Sequence, residues 1–163
     1  MNVISDAKLN LERDLKNLIA GEWVDSKEKI EVTNPYTNEI VGTVPRMGLD
    51  QVKEAIDALY EYEPTLTAYE RSEILKGTAD EITSRKDELA YGISLESGMS
   101  IKDSTKEVGR GVNLINVAAE EAKRIMGEQL PSDVDASGAD KIILAMRFPV
   151  GVISAIVPFN RPM

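Results

Sequence analysis

Gly151-Val152-Ile153-Ser154-Ala155-Ile156-Val157-Pro158-Phe159-Asn160-Arg161-Pro162-Met163 decides how this chain is read. From Gly151 to Val157 one hydroxyl interrupts an otherwise apolar run, and no polar–apolar alternation is present. Such a run marks a strand buried on both faces, as in a parallel sheet covered by helices. A strand of that kind feeds a crossover and a further strand. In open α/β sheets, ligands bind beyond the carboxyl ends of the strands. The residues after Val157 therefore fall where a site wall is expected. The expected fold class is α/β, and the 163 residues read as a piece of a longer protein, closing six residues after Val157.

Upstream, short strands are expected at Gly21–Val24, Lys29–Thr33 and Glu39–Val44. Asn34-Pro35-Tyr36-Thr37-Asn38 forms the turn between the last two, because Pro fixes φ and Asn tolerates turn geometry. Ser5 to Leu18 reads as a short helix or a loose extension. From Asp50 the period becomes helical. Val52, Ala55, Ile56, Leu59 and Tyr60 share one face, with Asp50 as the expected N-cap. Thr67-Ala68-Tyr69-Glu70 is a capping box and starts a second helix, with Ile74, Leu75, Thr78 and Ile82 as its buried stripe. A third helix, capped by Asp87, carries Leu89, Ala90 and Ile93 and stops at Gly98. A long helix is expected from Ile101 to Met126, with Val108, Val112, Ile115, Ala119, Ala122 and Met126 on its main stripe. Leu114 and Val117 widen that apolar surface, so burial on more than one side is expected. Leu130 to Asp140 is loop-like and Lys141 to Phe148 strand-like.

Composition excludes several classes of function. The formal charge of −9, from 19 basic and 28 acidic residues, disfavours nonspecific nucleic-acid or anionic-membrane binding. There is no cysteine and no histidine, so no disulfide framework, no Ser-His-Asp or Cys-His catalysis and no usual zinc site can form within these residues. No stretch has the length of a membrane span, and Met1 to Leu18 lacks a signal-peptide core. A cytoplasmic location is the expectation.

Three side chains are candidates for chemistry. Asn160, between Pro158 and Pro162, is either a turn Asn bonded to its own backbone or an amide donor to a developing oxyanion. Arg110 lies between Gly109 and Gly111 in the long helix, where each glycine costs about 1 kcal/mol relative to Ala. It either grips an anion at a close approach or pairs with Glu107 one turn earlier. Arg161 adds positive charge beside Asn160 or stands solvated in the turn. No Ser or Thr has a base partner that would make it a nucleophile.

Pro158-Phe159-Asn160-Arg161-Pro162 resembles the Pro-Phe/Trp-Asn-x-Pro motif of the NAD(P)-dependent aldehyde dehydrogenase superfamily. Ile19-Ala20-Gly21-Glu22-Trp23-Val24, Thr33-Asn34-Pro35-Tyr36-Thr37-Asn38-Glu39-Ile40-Val41-Gly42-Thr43-Val44-Pro45 and Met146-Arg147-Phe148-Pro149-Val150-Gly151-Val152 resemble three further family segments in the family's order. The resemblance runs from about residue 18 to the end, and four motifs in sequence are specific where one is weak. Within the superfamily, residues 62–71 and Glu107-Val108-Gly109-Arg110 look closest to the phosphonoacetaldehyde dehydrogenase group. Neighbouring groups act on lactaldehyde or, without phosphorylation, on glyceraldehyde 3-phosphate. That group often has His where this chain has Arg161.

The resemblance implies an N-terminal part of the aldehyde dehydrogenase fold, made of short β-hairpins, a helical region and the start of a Rossmann-like parallel sheet. Residues 1–130 would belong to the coenzyme-binding domain, 131–149 to the oligomerisation hairpin and 150–163 to the first sheet strand. It implies that Asn160 helps form the oxyanion hole, that Arg110, with Arg161 as a second candidate, holds a substrate anion, and that Ile156, Val157, Pro158 and Phe159 line the nicotinamide-ribose side of NAD or NADP. Family chemistry runs through a thiohemiacetal on a cysteine, hydride transfer to NAD(P)+ and thioester hydrolysis assisted by a glutamate. That cysteine and glutamate are expected downstream, so these residues alone should be inactive. The implied partners are a small anionic aldehyde and further copies of the enzyme, as a homodimer or homotetramer. The expectation from another class is a short, non-catalytic interaction or assembly module.

Overall fold

The computed structural model describes residues 14–157, 159–160 and 162–163. Three antiparallel hairpins flank a four-helix segment. β1 (Asn17–Ile19) pairs with β2 (Glu22–Val24) through Ala20 and Gly21, whose φ angles of 50° and 86° are both positive. Two central residues with positive φ match the right-handed twist of a tight hairpin. The expectation for residues 5–18 lies partly outside the described residues. Its end, Asn17 and Leu18, is strand rather than helix, because pairing to β2 supplies the backbone partners.

β3 (Lys29–Thr33) pairs with β4 (Ile40–Pro45), as expected. Asn34 makes the turn between them. Its Oδ1 accepts from the backbone N–H groups of Tyr36 and Thr37 at 2.9 and 3.0 Å, and Asn38 takes φ 59°. β5 (Glu128–Leu130) pairs with β6 (Ile143–Ala145), enclosing a 3-10 turn at Ala136–Gly138. β5 was not expected as a strand; its partner lies 15 residues downstream, across the register Gln129 to Leu144.

α1 (Leu49–Glu61) starts at Gly48, not Asp50, with the Gln51 side chain accepting from the Gly48 N–H. Its apolar stripe is correctly spaced but uncovered: none of its residues is buried, and Leu59 is 57% exposed. α2 (Ala68–Ser84) opens on the expected capping box, in which Thr67 Oγ1 accepts from Glu70 N–H and Glu70 accepts from Thr67 N–H. Its fully buried residues are Ser72 and Ala79; Leu75 and Ile82 are partly buried, Ile82 against the core, while Ile74 and Thr78 are exposed. α3 (Lys86–Ser97) is capped at Arg85 rather than at Asp87, which sits in its first turn, and it ends at Gly98 with φ 71°. α4 (Ile101–Glu121) ends a turn earlier than the sequence pattern suggests, and Met126 is exposed.

α4 packs against both α2 and α3. Small residues explain the correction on α2: Ser72 and Ala79 let the helix backbone approach α4 closely, which larger side chains at those positions would prevent. Arg71 Nη2 donates to the Ala122 carbonyl, so the start of α2 lies at the end of α4 and the two run antiparallel. Ala90, Ile93 and Val108 form the core, with Ile82, Leu89, Met99 and Met163 against it. Ser94 and Ser104 hydroxyls meet at 2.9 Å between α3 and α4.

The chain exposes 13187 Å². A globular monomer of 17.9 kDa exposes roughly 8,000 Å². Residues 150–157 account for part of the excess. They were expected as a strand buried on both faces, yet they lie in no strand and Ile156 is 97% exposed. A parallel strand needs neighbours on its edges and helices on its faces, and the described residues bring neither to this segment. Among the described residues, no helix is long and apolar enough to cross a membrane.

Candidate functional site

α4 sets the site. Ser100 caps it, accepting from Asp103 N–H at 3.2 Å and donating to the Asp103 carboxylate at 2.8 Å. The Ser100 hydroxyl, with smaller help from Lys106 and Lys102, holds the Asp103 carboxyl below its ordinary range. Val108, Gly111 and Ala119 turn into the bundle, and Ser104 and Glu107 are buried with them. Arg110 emerges beside this buried row with its side chain 58% exposed, while Glu107 is 5% exposed.

Arg110 separates two clefts. The larger, about 970 Å³, is lined by Thr83, Lys86, Asp103, Lys106 and Asn113 together with Gly109 and Arg110. The smaller, about 490 Å³, is mostly apolar and is lined by Glu107, Arg110, Gly111, Leu114, Val117 and Met163, with Asn113 shared between the two clefts. Glu107, Arg110, Leu114 and Val117 recur at intervals of three and four, so they share one helical face.

The two glycines around Arg110 differ. A Cβ at Gly109 would meet nothing within 4 Å. A Cβ at Gly111 would lie 3.1 Å from Met163 Cβ and 3.2 Å from its Cε. The close approach expected at this pair is therefore made at Gly111, by the chain's own residue 163. The Arg110–Glu107 ion pair weighed from the sequence is also present. Both the anion-grip and the ion-pair readings are compatible with a guanidinium that carries five N–H donors and uses its Nη2 end on Glu107.

Asn160 is exposed in a turn together with Phe159. It lies three positions before Met163, so its Cα lies within about 11 Å of that of Met163. The turn is thereby tethered near the Arg110 face of α4. Pro158 and Arg161 lie outside the described residues. Ile156, Val157 and Phe159 are 97%, 76% and 94% exposed, and neither cleft includes them. Sequence reasoning placed Leu114 and Val117 on a second apolar side but did not assign them to a cleft, and it missed Met163, Lys86 and Lys106. Gly111 was the available signal for Met163, since a helix-interior glycine marks a close neighbour.

The hairpins, the α4 bundle and the exposed turn at Phe159 and Asn160 define a class found by comparison with known proteins. The aldehyde dehydrogenase family matches residues 23–163, and the chain belongs to it. The mitochondrial succinate-semialdehyde dehydrogenase of Arabidopsis thaliana is 39% identical over 91% of this chain and 28% of its own length. Aldehyde dehydrogenase 21 of Physcomitrella patens, solved with the reaction product succinate, superposes with a TM-score of 0.88 at 34% identity, over 94% of this chain and 33% of its own. The NADP-dependent glyceraldehyde-3-phosphate dehydrogenase of Bacillus halodurans, solved with NADP, gives 0.86 at 32% identity, over 93% and 33%. The chain thus spans about a third of the length of these relatives.

Proposed function

We propose that the complete protein oxidises a small aldehyde bearing a distal anion to the carboxylate, with NAD or NADP. The observation that carries this reading is Arg110, a half-exposed guanidinium at the mouth of an apolar cleft on α4. Its fork would hold the anion. Leu114, Val117 and Met163 would contact the short carbon chain and keep water from it. Asn160 would donate its amide N–H to the aldehyde oxygen, where negative charge develops. Arg161 would add positive charge to the same turn.

The relatives named for succinate semialdehyde and glyceraldehyde 3-phosphate, and the resemblance to phosphonoacetaldehyde dehydrogenases, give the range of distal anions. Lactaldehyde falls in the same size class. The dinucleotide supplies the hydride acceptor. Ile156, Val157, Pro158 and Phe159, which precede Asn160 in the chain, would line its nicotinamide-ribose side; Ile156, Val157 and Phe159 are apolar and exposed, which supports this reading. They form no enclosure by themselves, so the remaining contacts come from other residues of the complete protein. The chain has no cysteine, so the thiol that the family's chemistry requires must also come from elsewhere. The exposed β5–β6 hairpin, with Ile142 78% and Leu144 65% exposed, would serve assembly into a homodimer or homotetramer. A cytoplasmic location accompanies this reading.

Replacing Arg110 by Ala in the complete enzyme tests it. The substitution should lower kcat/KM for an anionic aldehyde by about a hundredfold, as loss of a charge-assisted bond implies, and leave a neutral aldehyde of similar size nearly unchanged. Equal losses on both substrates would sink the proposal.

A further inference from the structure

The larger cleft leads to Arg110 along a charged row. Asp103, Lys106, Arg110 and Asn113 recur on α4 at intervals of three and four, so they share one helical face. Lys86, in the first turn of α3, adds a second ammonium to the same cleft. Arg110 and Asn113 line both clefts, so the larger adjoins the smaller across them.

The cleft carries a charge opposite to that of the chain. Three cations, Lys86, Lys106 and Arg110, stand against one carboxylate, Asp103, in a chain of formal charge −9. Asp103 is engaged at the start of α4: Ser100 donates to one of its oxygens at 2.8 Å, and Lys106 approaches the other only to 3.5 Å. That pair is exposed, Lys106 at 65% and Asp103 at 58%, and such a pair holds neither side chain firmly. On α3 the Glu88 carboxylate is taken up by Arg85. Positive charge gathered in a cleft raises the local concentration of an anion and its rate of association.

We propose that the larger cleft is the approach by which an anionic aldehyde reaches Arg110, with Lys86 and Lys106 steering it there. This rests on the reading of Arg110 as the anion contact. The two lysines act on encounter, over a Debye length of about 30 Å in 0.01 M salt and about 3 Å in 1 M. Arg110 then takes the anion, and the apolar smaller cleft takes the carbon chain. Lys86 and Lys106 are thus specificity-determining residues that raise kcat/KM for an anionic substrate and leave kcat alone.

The test uses the complete enzyme with a carboxylate-bearing aldehyde and an uncharged aldehyde of similar size. In the wild type, kcat/KM for the anion should fall by about tenfold between about 0.01 and 1 M salt, and the neutral substrate should change by less than about twofold. Lys86→Gln combined with Lys106→Gln should lower kcat/KM for the anion by about fivefold in about 0.01 M salt, leave kcat unchanged and match the wild type in about 1 M. Lys86→Arg combined with Lys106→Arg keeps both charges and should retain the wild-type value. Should neither double variant fold, the wild-type salt dependence decides alone. A Gln variant with the salt dependence of the wild type overturns the proposal, as does a loss that persists at high salt or falls equally on the neutral aldehyde. Arg110→Ala separates the two levels: if the preference for the anionic aldehyde survives it, the anion-contact reading itself fails. If that preference is lost while the Gln variant behaves as wild type, only the steering fails.

Discussion

Gly109 and Gly111 provide a paired perturbation whose two halves should differ. In a helix interior, Gly→Ala is worth about 1 kcal/mol, through lower backbone entropy in the unfolded chain. At Gly109 the added methyl meets nothing within 4 Å, so the full gain is retained. At Gly111 it would lie 3.1 Å from Met163 Cβ and 3.2 Å from Met163 Cε. The Cε end can swing away, but the Cβ moves only with the backbone of residue 163. Overpacking of this kind costs roughly 1–3 kcal/mol, enough to cancel or exceed the helical gain. Hydrogen exchange of the α4 amides in the complete enzyme reads the difference, because it reports local opening free energies. Gly109→Ala should slow exchange by about fivefold, which is the opening constant equivalent of about 1 kcal/mol. Gly111→Ala should leave it unchanged or speed it. Equal slowing at both positions would mean that Met163 does not rest on Gly111, and the apolar wall beneath Arg110 would lose its floor.

Four further outcomes follow from local geometry. The Glu70 carboxyl is held below its ordinary value of 4.5 by the Thr67 backbone N–H first and the Thr67 hydroxyl second. A depressed folded-state value contributes stability that is complete above about pH 4.5 and lost as pH falls through the folded value; circular dichroism should show the start of α2 fraying there, and Glu70→Gln should flatten that dependence. Thr67→Ala should cost about 1 kcal/mol in thermal stability of the complete enzyme at pH 7, as loss of an N-cap does. Ser94→Ala or Ser104→Ala alone should destabilise more than half as much as the double substitution, since each single change leaves a partly buried hydroxyl without its partner 2.9 Å away; strict additivity in a double-mutant cycle would contradict this. Gly98→Ala should destabilise by about 1 kcal/mol or more, because φ is 71° and the new Cβ would lie 2.9 Å from Pro35 Cγ, and a melting temperature unchanged by the substitution would refute it.

The legible parts of the sequence were those with local causes. The Asn34 turn, the Thr67–Glu70 capping box and the Gly98 stop each need only residues a few positions apart, and each is present. Arg110 was singled out by its flanking glycines, and Glu107 by its spacing, for the same reason. What escaped depends on distant partners. The stripe of α1 has helical spacing but nothing packed on it. Residues 150–157 have the composition of a buried strand, yet strand formation waits on neighbours that the described residues do not supply. On α2, apolar periodicity pointed to Ile74 and Leu75, whereas close approach to α4 selected Ser72 and Ala79. Met163 over Gly111 joins positions 52 residues apart, a contact no local pattern encodes.

A crystal structure of the complete enzyme with its carboxylic acid product tests the central claim most directly. The account predicts an Arg110 guanidinium nitrogen within about 3 Å of the distal anion, the product's carbon chain against Leu114, Val117 and Met163, and the newly formed carboxylate beside the Asn160 amide. A product whose distal anion lies away from α4, with Arg110 engaged only by Glu107, would contradict it.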